Sequence, residues 1–286
     1  MKIGLHYKDN RKVFEEKEIE QVPFLQYPLF ENTNIVNHGI STRLGGVSKG
    51  IYATMNLSYT RGDAEENVRE NYRRIGKAIG VDPARMVCSR QTHTTNVRIV
   101  TEADAGKGVT RERDYDNVDG LVTNIPGICL VTFYADCVPL LFVDPVKRVI
   151  ASSHSGWRGT AARMGQVTVD IMRSKFGCRP EDILAAVGPS ICQDCYEVSE
   201  DVIQKFQNAF DEADWNDLYD RKENGKYQLN LWKANEIVLL QAGILPEHLA
   251  VTNLCTCCNP DLLFSHRASN GKRGNLAAFL ALKEEQ

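Results

Sequence analysis

Three residues of metal-ligating type stand in polar turns beside apolar runs: His93 in SRQTHTTNV, Cys137 in FYADCVPLLF and His154 in ASSHSGWRGT. At strand ends, such side chains can face a cleft. Two imidazoles and one thiolate suit zinc by softness and geometry. Three protein ligands also leave a fourth position for water or substrate, as a catalytic site requires. An ion so exposed lowers the pKa of bound water toward neutrality. Spacing alone describes equally well two polar-loop histidines and a buried thiol, so the residues by themselves leave both readings open. A His2Cys set also suits copper in electron-transfer style, and Cys137 with His154 would suit a nucleophile and base for acyl transfer.

A competing cluster lies near the C-terminus, where Cys255, Cys257 and Cys258 precede His266 in CTCCNPDLLFSHR. The C-x-C-C spacing is too tight for the usual zinc knuckle at every ligand, and no second cysteine pair follows, which favours plain thiols over a structural zinc site. Two glycine-rich segments, STRLGGVSKG from Ser41 and SGWRG from Ser155, combine hydroxyls with an arginine. Loops of this kind bring backbone amides and a guanidinium close to an anion, although a glycine-rich hairpin is the commoner explanation. Ser41, Arg43 and Arg158 are therefore the candidates for phosphate or ribose binding. Asp136, beside Cys137, is the candidate acid/base carboxylate, with Asp63 in TRGDAEENV a weaker one.

The elements that must position these residues follow from hydrophobic patterning. β-branched, apolar runs at residues 96–100, 120–123, 128–133, 139–143, 148–152 and 183–187 predict strands. Helices are predicted at 64–80, at 161–177 up to Gly177, at 199–212 with Ser199 as N-cap, and at 231–242. Without a regular βαβ rhythm, this predicts an α/β (mixed α+β) fold, a single domain of mixed sheets flanked by helices over residues 1–286, with 1–30 as an N-terminal extension. The 34 basic and 37 acidic residues are interspersed, giving a formal net charge of -3 and no global field for nucleic acid or an anionic membrane. The charged N-terminal stretch is unlike a signal peptide and no apolar run reaches the ~18 residues of a membrane span, so the expected compartment is the cytoplasm. Nine cysteines, an odd and modest number, fit reduced thiols there.

The ordered segments HGISTRLGGVS, SRQTHTTNV, DNVDGLVTN, ADCVPLLFVDP, HSGWRGT, AVGPSI and LFSHRASNGKRGNLAAF resemble the bacterial YlmD/YfiH family, from about His38 to Leu280. Its members carry the older description of laccase-domain or multicopper polyphenol oxidase proteins, and the later one of purine nucleoside phosphorylases with adenosine deaminase activity. The resemblance implies one α/β domain and zinc held by the histidine of Q-x-H, the cysteine of A-D-C and the histidine of H-x-G-W-R-G, here His93, Cys137 and His154. It further implies phosphorolysis of adenosine, inosine, guanosine and methylthioadenosine, and deamination of adenosine. The clustered cysteines of CTCCNP and SICQDCYEV depart from the family pattern, leaving open whether Cys192, Cys195 or Cys255 lies near the metal. The alternatives are a copper-dependent polyphenol oxidase, a Cys-His hydrolase, and a nucleotide-binding or cell-division accessory protein with structural zinc. Six histidines with no H-x-H pair speak against a multicopper centre.

Overall fold

The apolar runs pair into two six-stranded sheets in the computed structural model, which describes residues 3–284. In the first sheet β1 (Glu15–Ile19), β2 (Val22–Gln26), β3 (Val36–Ser41), β15 (Leu276–Leu282), β7 (Cys129–Tyr134) and β4 (Met86–Cys88) lie side by side. The second runs β14 (Leu249–Val251), β10 (Leu184–Val187), β8 (Val138–Asp144), β9 (Val149–Ser155), β6 (Gly120–Thr123) and β5 (Val97–Ile99). Both are mixed: β4 with β7, β5 with β6 and β10 with β14 are parallel, and the other pairs antiparallel. A small third sheet joins β11 (Glu197–Val198), β13 (Tyr227–Leu229) and β12 (Tyr219–Arg221).

The two large sheets pack face to face. Successive strand residues point to opposite faces, so Leu141 and Val143 of β8 meet Leu130 of β7 and Leu276, Leu280 and Leu282 of β15 in the space between them. Leu140 and Phe142 face outward, beneath α4 (Met164–Phe176), α5 (Glu200–Gln207) and α7 (Leu231–Gln241). On the far side of the first sheet, Phe279 and Val131 lie under Val68, Tyr72 and Ile75 of α2 (Glu65–Ile79). Both faces of each sheet are thus covered, which explains why their strands read as continuous apolar runs. Short helices α1 (Pro28–Glu31), α3 (Trp157–Ala161) and α6 (Trp215–Leu218) complete the single mixed α/β domain. Among the described residues no helix is long and apolar enough to cross a membrane.

Two local expectations are corrected. The helix expected over 161–177 is broken by Arg163 in the left-handed region (φ 58°), which separates α3 from α4; Gly177 (φ 68°) does end α4. Ser199 stands at the start of α5, but its hydroxyl bonds to the Asp201 carboxylate rather than to a helical amide.

Candidate functional site

His93, Cys137 and His154 converge from three parts of the chain. Their donor atoms all lie within 4.8 Å of one another. His154 is on β9, its backbone opposite Pro139 of β8. Cys137 occupies the corner where the chain leaves β7 for β8, and Asp136 makes that corner with φ 85°. His93, in the loop between β4 and β5, also has a left-handed backbone (φ 66°) and places Nε2 4.0 Å from the Cys137 Sγ. Left-handed conformations at two non-glycine residues are tolerated only where the surroundings fix them.

At His93 the fixing group is Asp119, at the start of β6. Its buried carboxylate accepts from the amides of Thr92 (3.0 Å), His93 (3.1 Å) and Thr94 (2.9 Å), from the Thr94 hydroxyl, and from His154 Nδ1 at 2.8 Å. Burial alone would raise its pKa; the bonds from His154 and the amides outweigh that and hold it down at about 2. Because Asp119 takes Nδ1, Nε2 of His154 is the nitrogen left to face Cys137 and a metal ion, the usual carboxylate–histidine–metal arrangement. Burial likewise opposes charge on Cys137 and His154, but the attraction between them dominates: the thiol is lowered to about 6 and the imidazole raised to about 9. Gly156 is required by close approach, since a Cβ there would stand 3.0 Å from Cys137 Sγ and 3.1 Å from the His93 ring. Donor types, spacing and the Asp119 bond together fit a metal ion with three protein ligands.

The three residues line a cavity of about 360 Å³, whose wall includes Tyr59, Arg61, Gln91, Phe133 and Arg273. Its size falls in the range of small-molecule sites, about 300–1,000 Å³. Arg273 is buried, and desolvation, helped by the like charge of Arg61, lowers its pKa to about 10. Its Nη1 bonds the Gly274 carbonyl and the Asn275 side chain, while Nε has no protein partner. Two guanidiniums lining one cavity are suited to an anion.

A family model described as multi-copper polyphenol oxidoreductase laccase matches residues 37–283. The chain belongs to this family. It is 34% identical over 258 residues to the purine nucleoside phosphorylase YlmD of Bacillus subtilis, covering 89% of this chain and 91% of the relative. It is 35% identical over 230 residues to the adenosine deaminase RL5 of an unknown prokaryotic organism, covering 79% of this chain and 87% of that protein. Among solved structures, the hypothetical protein YfiH of Bacillus licheniformis superposes with a TM-score of 0.89 at 31% identity, over 96% of this chain and all (100%) of that one.

Within this laccase-family fold the remaining sequence candidates have other surroundings. The Ser41 hydroxyl is buried and accepts the Ala277 amide, joining β3 to β15. Arg43 donates to the Ala53 and Pro260 carbonyls and lies over Phe264. Neither lines the cavity. Arg158 lies exposed over the Trp157 ring. The Asp136 carboxylate accepts from the Thr256 hydroxyl (2.7 Å) and the Arg267 amide (2.6 Å), so it braces the Cys137 corner rather than facing the cavity. Asp63 receives Ser48, Asn56 and Asn67 in a loop-holding network.

Asp119, Arg61 and Arg273 were not picked out from the sequence. The signal for Asp119 is the DNVDG turn, where an acidic residue opens a buried strand; the arginines lie in TRGD and GKRGN with nothing local to set them apart. The C-x-C-C segment also reads differently in space. Cys255 and Cys258, without Cys257, join Cys192 and Cys195, while His266 lies exposed beside Gly271. The missing second pair precedes the first in the chain instead of following it, and none of its members joins the His93 group.

Proposed function

We propose that the protein is a zinc-dependent purine nucleoside phosphorylase that also deaminates adenosine. The observation that carries this reading is the His93/Cys137/His154 set opening on a cavity that also holds the Arg61/Arg273 pair. It brings a three-ligand metal position and an anion position to one nucleoside-sized space, and the names of the relatives point to the same chemistry.

The substrates are adenosine, inosine, guanosine and methylthioadenosine. Arg273 and Arg61 hold inorganic phosphate; a phosphate oxygen forms a bond to the ribose C1′ as the bond to purine N9 breaks. The electron pair leaves with the base, which takes up a proton, giving ribose 1-phosphate and free purine, or the corresponding methylthio sugar phosphate. Positioning and charge complementarity then supply most of the rate. A zinc ion held by His93, Cys137 and His154 would supply Lewis acidity toward water or a substrate atom. Asp119 keeps His154 in the tautomer that presents Nε2, and Asp136 keeps Cys137 in place. In deamination, water adds at C6 of adenine and ammonia leaves, giving inosine. The nine cysteines, all free in the structure, suit the reducing cytoplasm.

The laccase description would favour copper and phenols. A multicopper centre draws on many imidazoles, and His6, His38, His248 and His266 join no metal-holding group among the described residues. The deciding experiment incubates purified protein with adenosine, with and without phosphate, and separates the products by chromatography alongside metal analysis. The expected result is phosphate-dependent adenine and phosphate-independent inosine, both lost in His93→Ala. Zinc-replete protein that releases neither, or copper-loaded protein that oxidises phenols and leaves nucleosides untouched, overturns the reading.

A further inference from the structure

Cys192, Cys195, Cys255 and Cys258 lie outside the cavity, and the proposed reaction uses none of them. Their four sulfurs lie within 4.8 Å of one another although 63 residues separate the two C-x-x-C pairs. The topology explains the meeting. Strands β10 and β14 are parallel neighbours, so their C-terminal ends point the same way, and each chain leaves its strand toward the same edge of the sheet. The two exits stay paired through the Ser190–Cys255 bridge, with Thr256 N donating to Ser190 O at 3.1 Å. Each exit then turns through a C-x-x-C knuckle, the spacing by which structural zinc sites take two ligands from one short loop.

We propose that these four cysteines hold a zinc ion as a closed tetrathiolate site, separate from the metal position in the cavity. The sulfur spacing fits one ion. With Zn–S bonds near 2.3 Å, the edges of a tetrahedron of sulfurs are about 3.8 Å, and the Cys195 and Cys258 sulfurs are 3.5 Å apart. An iron–sulfur cluster would need room for more than one iron and for inorganic sulfide inside the same four sulfurs. The Cys255 sulfur accepts the amides of Cys192 (3.3 Å) and Cys258 (3.4 Å), bonds that favour a thiolate over a thiol. Cys192 and Cys255 are buried, and the Lys8 ammonium ties the N-terminal segment to the first knuckle by bonding Asp194 at 2.9 Å.

With four protein ligands the site has no open position, so its role is to hold the chain. It fastens three segments. The N-terminal segment is laced to the residues flanking the second knuckle: Lys8 N donates to Asn253 O (2.8 Å) and His6 N to Asn259 Oδ1 (2.7 Å). The loop after β10 supplies the first knuckle. Thr256, inside the second, donates to Asp136, next to the cavity ligand Cys137. The closed site is therefore a positioning device for the open one.

The test is metal analysis of the purified full chain. We expect about two zinc ions per chain in the unaltered protein and about one in His93→Ala, the remaining ion resisting a chelator until the protein is unfolded and then appearing together with the masked thiols. Cys255→Ser should lose that ion and melt at a lower temperature. If Cys255→Ser fails to fold, His93→Ala reconstituted with cobalt gives the second readout: intense tetrahedral d–d bands with sulfur-to-metal charge transfer. Zinc-free His93→Ala with four freely titrating thiols, an intact mass showing disulfides among the four cysteines, or iron in place of zinc would each overturn the assignment.

Discussion

The two groups of donors differ in composition, access and support, and the contrast separates chemistry from architecture. His93, Cys137 and His154 mix nitrogen with sulfur, stop at three ligands and face a cavity. Their orientation comes from a carboxylate, Asp119, which fixes one imidazole and the loop bearing the other. Cys192, Cys195, Cys255 and Cys258 are all sulfur, and their support comes from backbone amides and strand pairing. A metal that must exchange a ligand with substrate needs an open position and a tunable environment; one that only ties segments together is better closed. The Thr256–Asp136 hydrogen bond links the two, so the closed group acts on the open one by holding the Cys137 corner.

The sharpest test of the contrast is His93→Ala. It should lower kcat/KM for adenosine phosphorolysis by about 10³-fold or more, roughly 4 kcal/mol of transition-state stabilisation, because the metal position loses one of only three ligands. Its melting temperature should stay close to that of the unaltered protein in a calorimetric scan; a collapse in melting would mean that the open group is structural too. Asp119→Asn should weaken zinc binding at the open site about 10–100-fold, read by competition with a chromogenic chelator, while the thiol group keeps its ion. Equal affinity in the two proteins would remove Asp119 from the account.

A smaller effect is expected from Gly156→Ala. The added methyl group must displace Cys137 or the His93 ring by a few tenths of an ångström, so activity should fall by about tenfold, near 1.4 kcal/mol, with little loss of stability. The smallest belongs to Thr256→Val, which removes a single hydrogen bond worth about 1 kcal/mol. It should cost several-fold in kcat with zinc content unchanged at both groups. If it left kcat untouched, the two groups would be independent.

The apolar strands expected at 120–123, 128–133, 139–143 and 148–152 were legible because sheets covered on both faces leave continuous apolar runs, although β9 runs on to Ser155 and takes in His154. β15 was not: LAAFLAL, rich in alanine and leucine, carries no β-branched residue, yet its seven buried residues form a middle strand of the first sheet, between β3 and β7. Its strand state comes from pairing on both edges, a tertiary cause that overrides local propensity. Arg43 and Ser41 show the opposite failure. Their glycine-rich loop looks anion-binding locally, but its groups are consumed by the Ala53, Pro260 and Ala277 backbone.

What the sequence alone determined was the chemistry available: a histidine in a polar loop, a thiol at a strand end, and enough β-branched runs to build mixed sheets. These are properties of residue type and short spacing, which local physics expresses directly. His154, expected in a polar turn, is a buried residue of β9 instead. Which donors meet was decided by tertiary structure. Asp119 acquires its role because β6 and β9 are neighbours and the 92–94 loop folds over it. The second cysteine pair becomes visible because β10 and β14 run parallel and deliver two distant knuckles to one place. Convergence of segments so far apart in the chain is set by strand order and packing, which spacing along a sequence does not encode.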